Sequence, residues 1–461
     1  MQDYEELWKK RMQNVEMAQR MSGKKPTIRP TKETLISCYQ RELALVKSTG
    51  NQVTACNSII TLTYAPCTEP LSSLRRVPLT ELVLETVHRG KYVVFKTLME
   101  SDKAVGIRTV IEDPEGNVDL FSLYNYALDK HYLDILPVGI IIALKEPYYK
   151  VTAGGGTMLR CDHPQNVIYL DADDALVRQL TWKSGVPNST LENKKLLSFD
   201  EYRLKGNELF RQEKYYDAVA IYTKGLASTS SESNIITLRL NRAAALLKLE
   251  HYEATLDDCR KILELNVENE KALYRAAKAF YALEESEKAL IKMQLYPKVT
   301  SNKTEAENEL QRIRDRLHEK QHGIYDWNVM KVEAKTLSTP RLDHASYIGP
   351  VRIINISNER GRGLVLTRDV RKGELLLCSK AFQVCYPSEA GLVTYFNMET
   401  KLSDKGAQGM ISQKVVHKLI NNPSLAREFF NLYAGNHRLA KIPPIISTPP
   451  VIDAFWVGDI C

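Results

Sequence analysis

No two cysteines of this 461-residue chain stand in a C-x-x-C spacing; Cys38, Cys56, Cys67, Cys161, Cys259, Cys378, Cys385 and Cys461 are scattered. That absence excludes a legible zinc finger or disulfide framework, and the eight read as reduced thiols of a cytosolic or nuclear protein. Long apolar runs are missing too. The most apolar stretch, Ile135 to Leu144, is interrupted by Pro137 and Gly139 and falls well short of the roughly 20 residues a helix needs to cross a bilayer. The opening MQDYEELWKK lacks the apolar region of a signal peptide, so no membrane partner is expected. Neither sign of charge dominates: 63 basic against 56 acidic residues leave +7, and no run of five or more Lys/Arg occurs, so composition carries no nucleic-acid signature. With 22 Gly, 19 Pro, 44% hydrophobic and 26% charged residues, collagen, low-complexity polymers and wholesale disorder are excluded. What remains is an ordinary globular composition, and domains of about 150 residues imply roughly three folded units.

The pattern along the chain divides it further. Tyr4, Leu7, Trp8, Met12, Val15 and Ala18 recur at helical spacing before the breakers Ser22, Gly23 and Pro26. A second helix over 32–47 carries Leu35, Ile36, Tyr39, Leu43 and Leu45. Together they define an N-terminal helical region, 1–75. From Tyr92 the period becomes strand-like, with strands expected at 92–98, 105–112, 118–124, 138–144 and 167–170 and a short helix at 127–136. Five strands with a helix after the third resemble, in element order, an oligonucleotide/oligosaccharide-binding barrel over 76–185. The run Gly154, Gly155, Gly156 precedes a strand-like stretch and not a helix carrying Lys and Ser/Thr, so it reads as a hairpin loop and not a phosphate cradle. Tyr124, Tyr126, Tyr148 and Tyr149 are able to stack on bases, but the basic interleaving of a nucleic-acid groove is thin, and nucleic acid is an unlikely partner.

The segment from Tyr202 to Met293 is self-similar. Gly206, Leu209, Phe210, Tyr215, Ala218, Tyr222 and Leu226 align with Ala243, Leu246, Leu247, Tyr252, Thr255 and Cys259, and with Ala277, Phe280, Tyr281, Ser286, Ala289 and Met293. Ala243 and Ala277 are 34 residues apart, Gly206 and Ala243 37, the extra three being placed in the Ser-rich loop 228–233. This resembles the tetratricopeptide repeat, in which each copy is a pair of antiparallel helices and three pairs stack around a concave groove. The charged helix 304–321 would cap the stack, completing a solenoid over 196–325. Some members of that family hold the acidic C-terminal tail of heat-shock chaperones in a two-carboxylate clamp, and the positions of that clamp are Arg203, Asn207, Asn241, Lys271 and Arg275 here. Arg203 and Asn207, like Lys271 and Arg275, are four apart and share a helix face, so the resemblance implies convergence on a terminal carboxylate and a neighbouring acidic side chain. Arg203 departs from the usual lysine. The alternative is a generic protein-binding solenoid with solvated charges.

Beyond Pro340 short strands return at 351–356, 364–367 and 374–379. The stretch GPVRIINISNERGRGLVLTRDVRKGELLLCSKAF, residues 349–382, resembles the opening of a SET domain. In that family hairpins lead into a pocket for S-adenosylmethionine, and the Arg-Gly-x-Gly turn, here Arg360, Gly361, Arg362 and Gly363, lies against the cofactor; glycine there lets backbone groups approach a zwitterion. No metal is implied. The stretch 380–461 reads as largely helical, notably 388–395 and 411–433, matching a helical insertion of the family. The catalytic half, with Asn-His-Ser/Cys and a later Tyr, is not found; Asn436-His437 is followed by Arg438, Leu439 and Ala440 and reads as a decoy. The zinc-ligand cysteines of the related SET-and-MYND proteins are absent as well, and no catalytic residue is named. Residues 340–461 therefore look like the N-terminal part of a SET domain, cut inside the module.

The expectation is a multidomain α+β chain: N-terminal helices, a five-stranded β-barrel, a tetratricopeptide α-solenoid and a partial SET β-fold with a helical insertion. Resemblance implies an S-adenosylmethionine-dependent protein-lysine methyltransferase, catalytically incomplete in this chain, whose repeats recruit protein partners and whose substrate is a protein lysine. The alternative is a non-catalytic adaptor or co-chaperone that binds acidic C-terminal peptides.

Overall fold

The computed structural model describes residues 9, 13, 15–48, 56–103, 106–126, 135–152, 155–170, 174–184, 197–357, 361–389, 393–397, 402–432 and 451–461. The chain forms two compact units, one from Met1–Leu197 with Cys385–Cys461, the other from Ser198–Val384.

The first unit is built on a large mixed sheet. Helix α1 (Lys32–Ser48) precedes β1 (Cys56–Ile60), and ten strands follow: β2 (Arg75–Arg76), β3 (Thr86–Val87), β4 (Lys91–Thr97), β5 (Asp102–Lys103), β6 (Ile107–Glu112), β7 (Val118–Leu123), β8 (Ile141–Lys145), β9 (Tyr148–Val151), β10 (Thr157–Cys161) and β11 (Val167–Leu170). Their order is β11-β8-β4-β6-β7-β10-β9-β3, with β2 beside β4 and β5 beside β6. Most pairs are antiparallel; β7–β10 and β2–β4 are parallel. In place of five strands, then, the sheet has ten. Strands β9 and β10 break the expected alternation because Lys150 and Arg160 are buried in them and disguise the inward face as polar. The loop between them carries Gly155 at φ 86 and joins antiparallel strands, with Val151 facing Thr157; Gly154 lies outside the described residues. Valine, isoleucine and aromatic residues fill the core, among them Val93, Phe95, Ile107, Ile111, Phe121 and Ile142.

At the N-terminus, residues 15–20 are helical. The helix expected at 127–136 falls outside the described residues over 127–134, as does the Asn436-His437 pair. The helix expected at 388–395 is corrected: Val393–Asn397 is a strand. It pairs in parallel with β1, Cys56 facing Val393, and antiparallel with Leu402–Lys405. The β-branched and aromatic run Val393, Thr394, Tyr395, Phe396 favours that pairing over a helix. Helix Ala407–Asn421 does form where helix was expected, and Val415, Val416 and Leu419 pack with Phe429, Phe430, Ile452 and Trp456 in a small core of their own.

The second unit is a stack of helices: α2 (Phe199–Arg211), α3 (Tyr215–Ala227), α4 (Glu232–Lys248), α5 (Tyr252–Leu265), α6 (Glu270–Ala282), α7 (Ser286–Val299), α8 (Lys303–His322) and α9 (Trp327–Thr336). The first opens with a capping box, Ser198 Oγ accepting from Glu201 N and Glu201 accepting from Ser198 N. Each pair turns through a glutamate in the left-handed region, Glu213 (φ 60), Glu250 (φ 62) and Glu284 (φ 61). The next amide then bonds back into the helix just ended: Lys214 N to Leu209 O, His251 N to Leu246 O and Glu285 N to Phe280 O. Three successive cores hold the stack together. Ala218, Tyr222, Leu238 and Ala245 form one; Ala243, Cys259, Ile262, Ala272 and Ala276 the next; Ala277, Ala289, Met293, Ala306 and Ile313 bring in α8 as the last. The small repeat positions are thus all buried. The extra residues of the first interval lie elsewhere than expected: the loop is only 228–231, and α4 is 17 residues long against 13 for α2 and α6, so the addition lengthens a helix.

After α9 the chain forms two short ribbons, β12 (Tyr347–Ile348) with β15 (Leu377–Cys378), and β13 (Val351–Ser357) with β14 (Gly361–Leu366). Residues 343–345 fasten the segment to the solenoid. Tyr281 OH and Arg312 Nε donate to the Asp343 carboxylate at 2.5 and 2.6 Å, Ala345 N donates to Glu319 at 2.9 Å, and Tyr325 OH donates to Ala345 O at 2.7 Å.

A Cβ on Gly206 would collide with the ring of Tyr222. Replacing it with alanine is expected to destabilise the helical unit by about 1–3 kcal/mol through overpacking, read as a lower urea midpoint; an unchanged midpoint would show that the first helix pair yields at no cost.

Candidate functional site

The first helix of each pair supplies the five clamp positions: Arg203 and Asn207 lie on α2, Asn241 on α4, and Lys271 and Arg275 on α6. Two of them are joined by a direct bond, and a third bonds to the backbone beside one of them. Asn241 Nδ2 donates to Asn207 Oδ1 at 3.0 Å, across one repeat interval, and Tyr222 OH donates to the same oxygen at 2.8 Å. Two donors on Oδ1 settle the orientation of the Asn207 amide and leave its Nδ2 as a donor toward a ligand. Arg275 Nη1 donates to the carbonyl of Leu240 at 3.0 Å, beside Asn241.

Arg275 carries the strongest electrostatic signal. Arg275 is half-buried, its guanidinium has no carboxylate partner among the described residues, and burial holds its pKa below the ordinary arginine value. A buried cation without a counter-ion is costly, and an incoming carboxylate would relieve it. Burial also pushes Tyr222 up to about 12, so its phenol stays protonated as a donor.

The remaining two positions stand apart. Arg203 is turned to Asp200 on its own helix at 2.9 Å and lies over the Phe199 ring. Lys271 is exposed and makes no hydrogen bond or ion pair with a described residue. Both side chains are long and at the surface, so a ligand can recruit them without disturbing the core.

A second set of charges joins α4 to α5. Asp258 on α5 is completely buried and accepts from Arg239 at 2.9 Å and, in a two-pronged contact, from Arg242 at 2.7 and 2.8 Å. Those arginines cross-link α4 to α5 through one shared carboxylate, whereas Arg275 has none among the described residues. Sequence reading did not find Tyr222, Asp258, Arg239 or Arg242 as parts of this arrangement. The signal available was the pairing of an acidic residue at a core position of one helix with two arginines three apart on the preceding one.

In the Gly-rich hairpin, Arg360 lies outside the described residues. Gly361 has φ 65 and no neighbouring atom where a Cβ would stand, so its backbone is open to a ligand. Arg362 faces Asn355, and Gly363 faces Ile354. A Cβ on Gly363 would collide with Ile356 Cδ1; its missing side chain serves packing within the hairpin. Of the two described glycines in that turn, Gly361 alone has open space where a Cβ would stand. Several aliphatic side chains of the ribbon, Ile353, Ile356, Leu364 and Leu366, are exposed.

No protein-family model matches the chain. A protein named Methyltransferase from Gibberella zeae is 27% identical over 421 residues, which is 90% of this chain and 56% of that protein. The Hsp70/Hsp90 co-chaperone CNS1 of Saccharomyces cerevisiae is 36% identical over 115 residues, 23% of this chain and 30% of the relative. Among solved structures, the first TPR of Spaghetti (RPAP3) bound to HSP90 peptide SRMEEVD is 32% identical, with TM-score 0.24, covering 26% of this chain and 95% of that one. The chain spans about half or less of the length of these curated relatives. It is a tetratricopeptide-repeat-containing protein, with a methyltransferase-named relative along most of its length and co-chaperone relatives over a shorter stretch.

Proposed function

We propose that the solenoid is a receptor for the acidic C-terminal segment of a chaperone, making this chain an adaptor. The observation that carries this reading is the half-buried guanidinium of Arg275, which lacks a carboxylate partner among the described residues and bonds to the backbone next to Asn241, itself bonded to Asn207. The terminal carboxylate of the peptide would accept from Asn207 Nδ2 and Asn241 and pair with Arg275. The exposed Lys271 and Arg203 would close on a neighbouring acidic side chain, Arg203 exchanging Asp200 for the ligand. Charge-assisted bonds of this kind are the strong ones. The names of the CNS1 relatives support a chaperone partner.

A second reading is favoured by the relative from Gibberella zeae: that the whole protein is a SET-type protein-lysine methyltransferase acting in the cytoplasm or nucleus. S-adenosylmethionine would supply its sulfonium methyl group, with Gly361 and Arg362 contributing the hairpin edge of the cofactor site. Methyl transfer to an amine also needs a dry channel and a positioned lysine, and the described residues of the hairpin provide neither.

Titration calorimetry with the peptide SRMEEVD tests the first reading. Amidating the peptide C-terminus is expected to weaken binding by about tenfold or more, since a charge-assisted bond contributes about 1.5–3 kcal/mol; equal affinity for both forms would overturn the clamp. Arg275→Met should weaken the free-acid peptide similarly while leaving the thermal midpoint unchanged or higher, because an uncompensated buried charge is removed. For the second reading, residues 1–461 incubated with methyl-labelled S-adenosylmethionine and cytosolic protein should transfer no label. Robust transfer that is lost in Gly361→Val would make catalysis the better account.

A further inference from the structure

Within the first unit, apart from the groove and the hairpin, lies a cavity of about 200 Å³. Leu120, Met158 and Val15 give it apolar walls, Thr61 and Ser122 add hydroxyls, and Arg108, Arg160, Glu85 and Lys150 bring charge. Two of the four charges are paired with an opposite charge, and the third, Glu85, is bonded by neutral donors. Arg160 forks onto Asp162, with Nη2 at 2.7 Å and Nε at 2.9 Å, and lies over the Tyr124 ring at 3.9 Å. Arg108 forks onto Asp102 at 2.6 and 3.2 Å. Glu85 accepts from Tyr148 OH at 2.6 Å, Thr61 Oγ1 at 3.2 Å and Val151 N at 2.8 Å.

Lys150 differs. It is 6% exposed, its Nζ donates to the carbonyl of Ile59 at 3.2 Å, and it has no ion-pair partner among the described residues. An ammonium carries three protons, so two are left for the cavity. Burial, then the nearby Arg160, pulls its pKa down to about 8, against the opposing pull of Glu85 and Asp162. For folding alone an apolar side chain of similar length would be the cheaper occupant of this position.

We propose that this cavity binds a small organic monocarboxylate, whose carboxylate takes the two remaining protons of Lys150 and whose apolar part lies against Met158 and Leu120. Lys150 and Met158 are register partners on adjacent strands and therefore share a face of the sheet, placing the charge next to an apolar wall. Lys150 and Glu85 are the two lining charges without an ion-pair partner among the described residues; Glu85 already accepts three bonds, whereas Lys150 has protons left to give. The space exceeds that of one water, about 30 Å³, and the apolar walls disfavour a bare, strongly hydrated ion.

Butyrate added to the full chain is the probe, with butylammonium as its control of opposite charge. The expected result is a saturable rise in the thermal midpoint with butyrate only, together with slower acetylation of Lys150 by acetic anhydride, read by peptide mass spectrometry. Lys150→Met should fold with a midpoint at or above wild type and lose the response. A rise of equal size with butylammonium or in Lys150→Met, or no saturable rise and no protection of Lys150, would overturn the proposal. The protection measurement uses the wild-type chain alone and so decides the matter even if the variant fails to fold.

Discussion

Close approach of paired helices at positions with little or no side chain is the constraint from which the second unit follows. Gly206 gives up its Cβ to the ring of Tyr222, and Gly225 does the same for Tyr202 and Leu238. Because the ring lies directly on α2, its hydroxyl reaches the amide of Asn207. That bond turns Asn207 so that its oxygen also receives Asn241 from the next pair, and the polar lining of the groove inherits its orientation from a packing contact. Recognition chemistry and core packing are one arrangement here, which is how preorganised donors avoid an ordering cost when a ligand arrives.

The two units place uncompensated cations differently. In the solenoid, Arg275 is held next to Asn241, while Arg239 and Arg242 share the carboxylate of Asp258. In the sheet, Lys150 lines a cavity whose two arginines are paired with Asp102 and Asp162. Low-dielectric surroundings magnify both cases. The triad shows the contrast: two arginines sharing one buried carboxylate fasten helices by charge, whereas Arg275 and Lys150 each hold only a backbone carbonyl.

Much of the solenoid was legible in the sequence because its signal repeats. Small residues at Gly206, Ala243 and Ala277 mark the spacing three times, and every one is buried. The five groove positions could be named from spacing, but their bonding could not. That Arg203 leans on Asp200, and that Tyr222 fixes Asn207, depends on where a second helix lies. In the sheet, legibility failed at β9 and β10, where Lys150 and Arg160 occupy inward positions that a hydrophobic pattern assigns to the outside. Strand Val393–Asn397 was missed for a different reason. Its partner β1 lies more than 300 residues earlier in the chain, and no local pattern encodes a pairing of that range.

The extra turn of α4 bears on how this stack tolerates changes of length. The turns inside the three pairs are equally short, each locked by a left-handed glutamate and the bond that follows it. One residue added there would swing the second helix by about 100° and carry its apolar stripe away from its partner. Residues added ahead of a helix, as at Glu232 and Ser233, prolong it outward past the stacked region and leave the phase of everything downstream untouched. Insertions are therefore silent at one junction of each repeat and ruinous at the other, and the longer of the two repeat intervals is lengthened at the silent one.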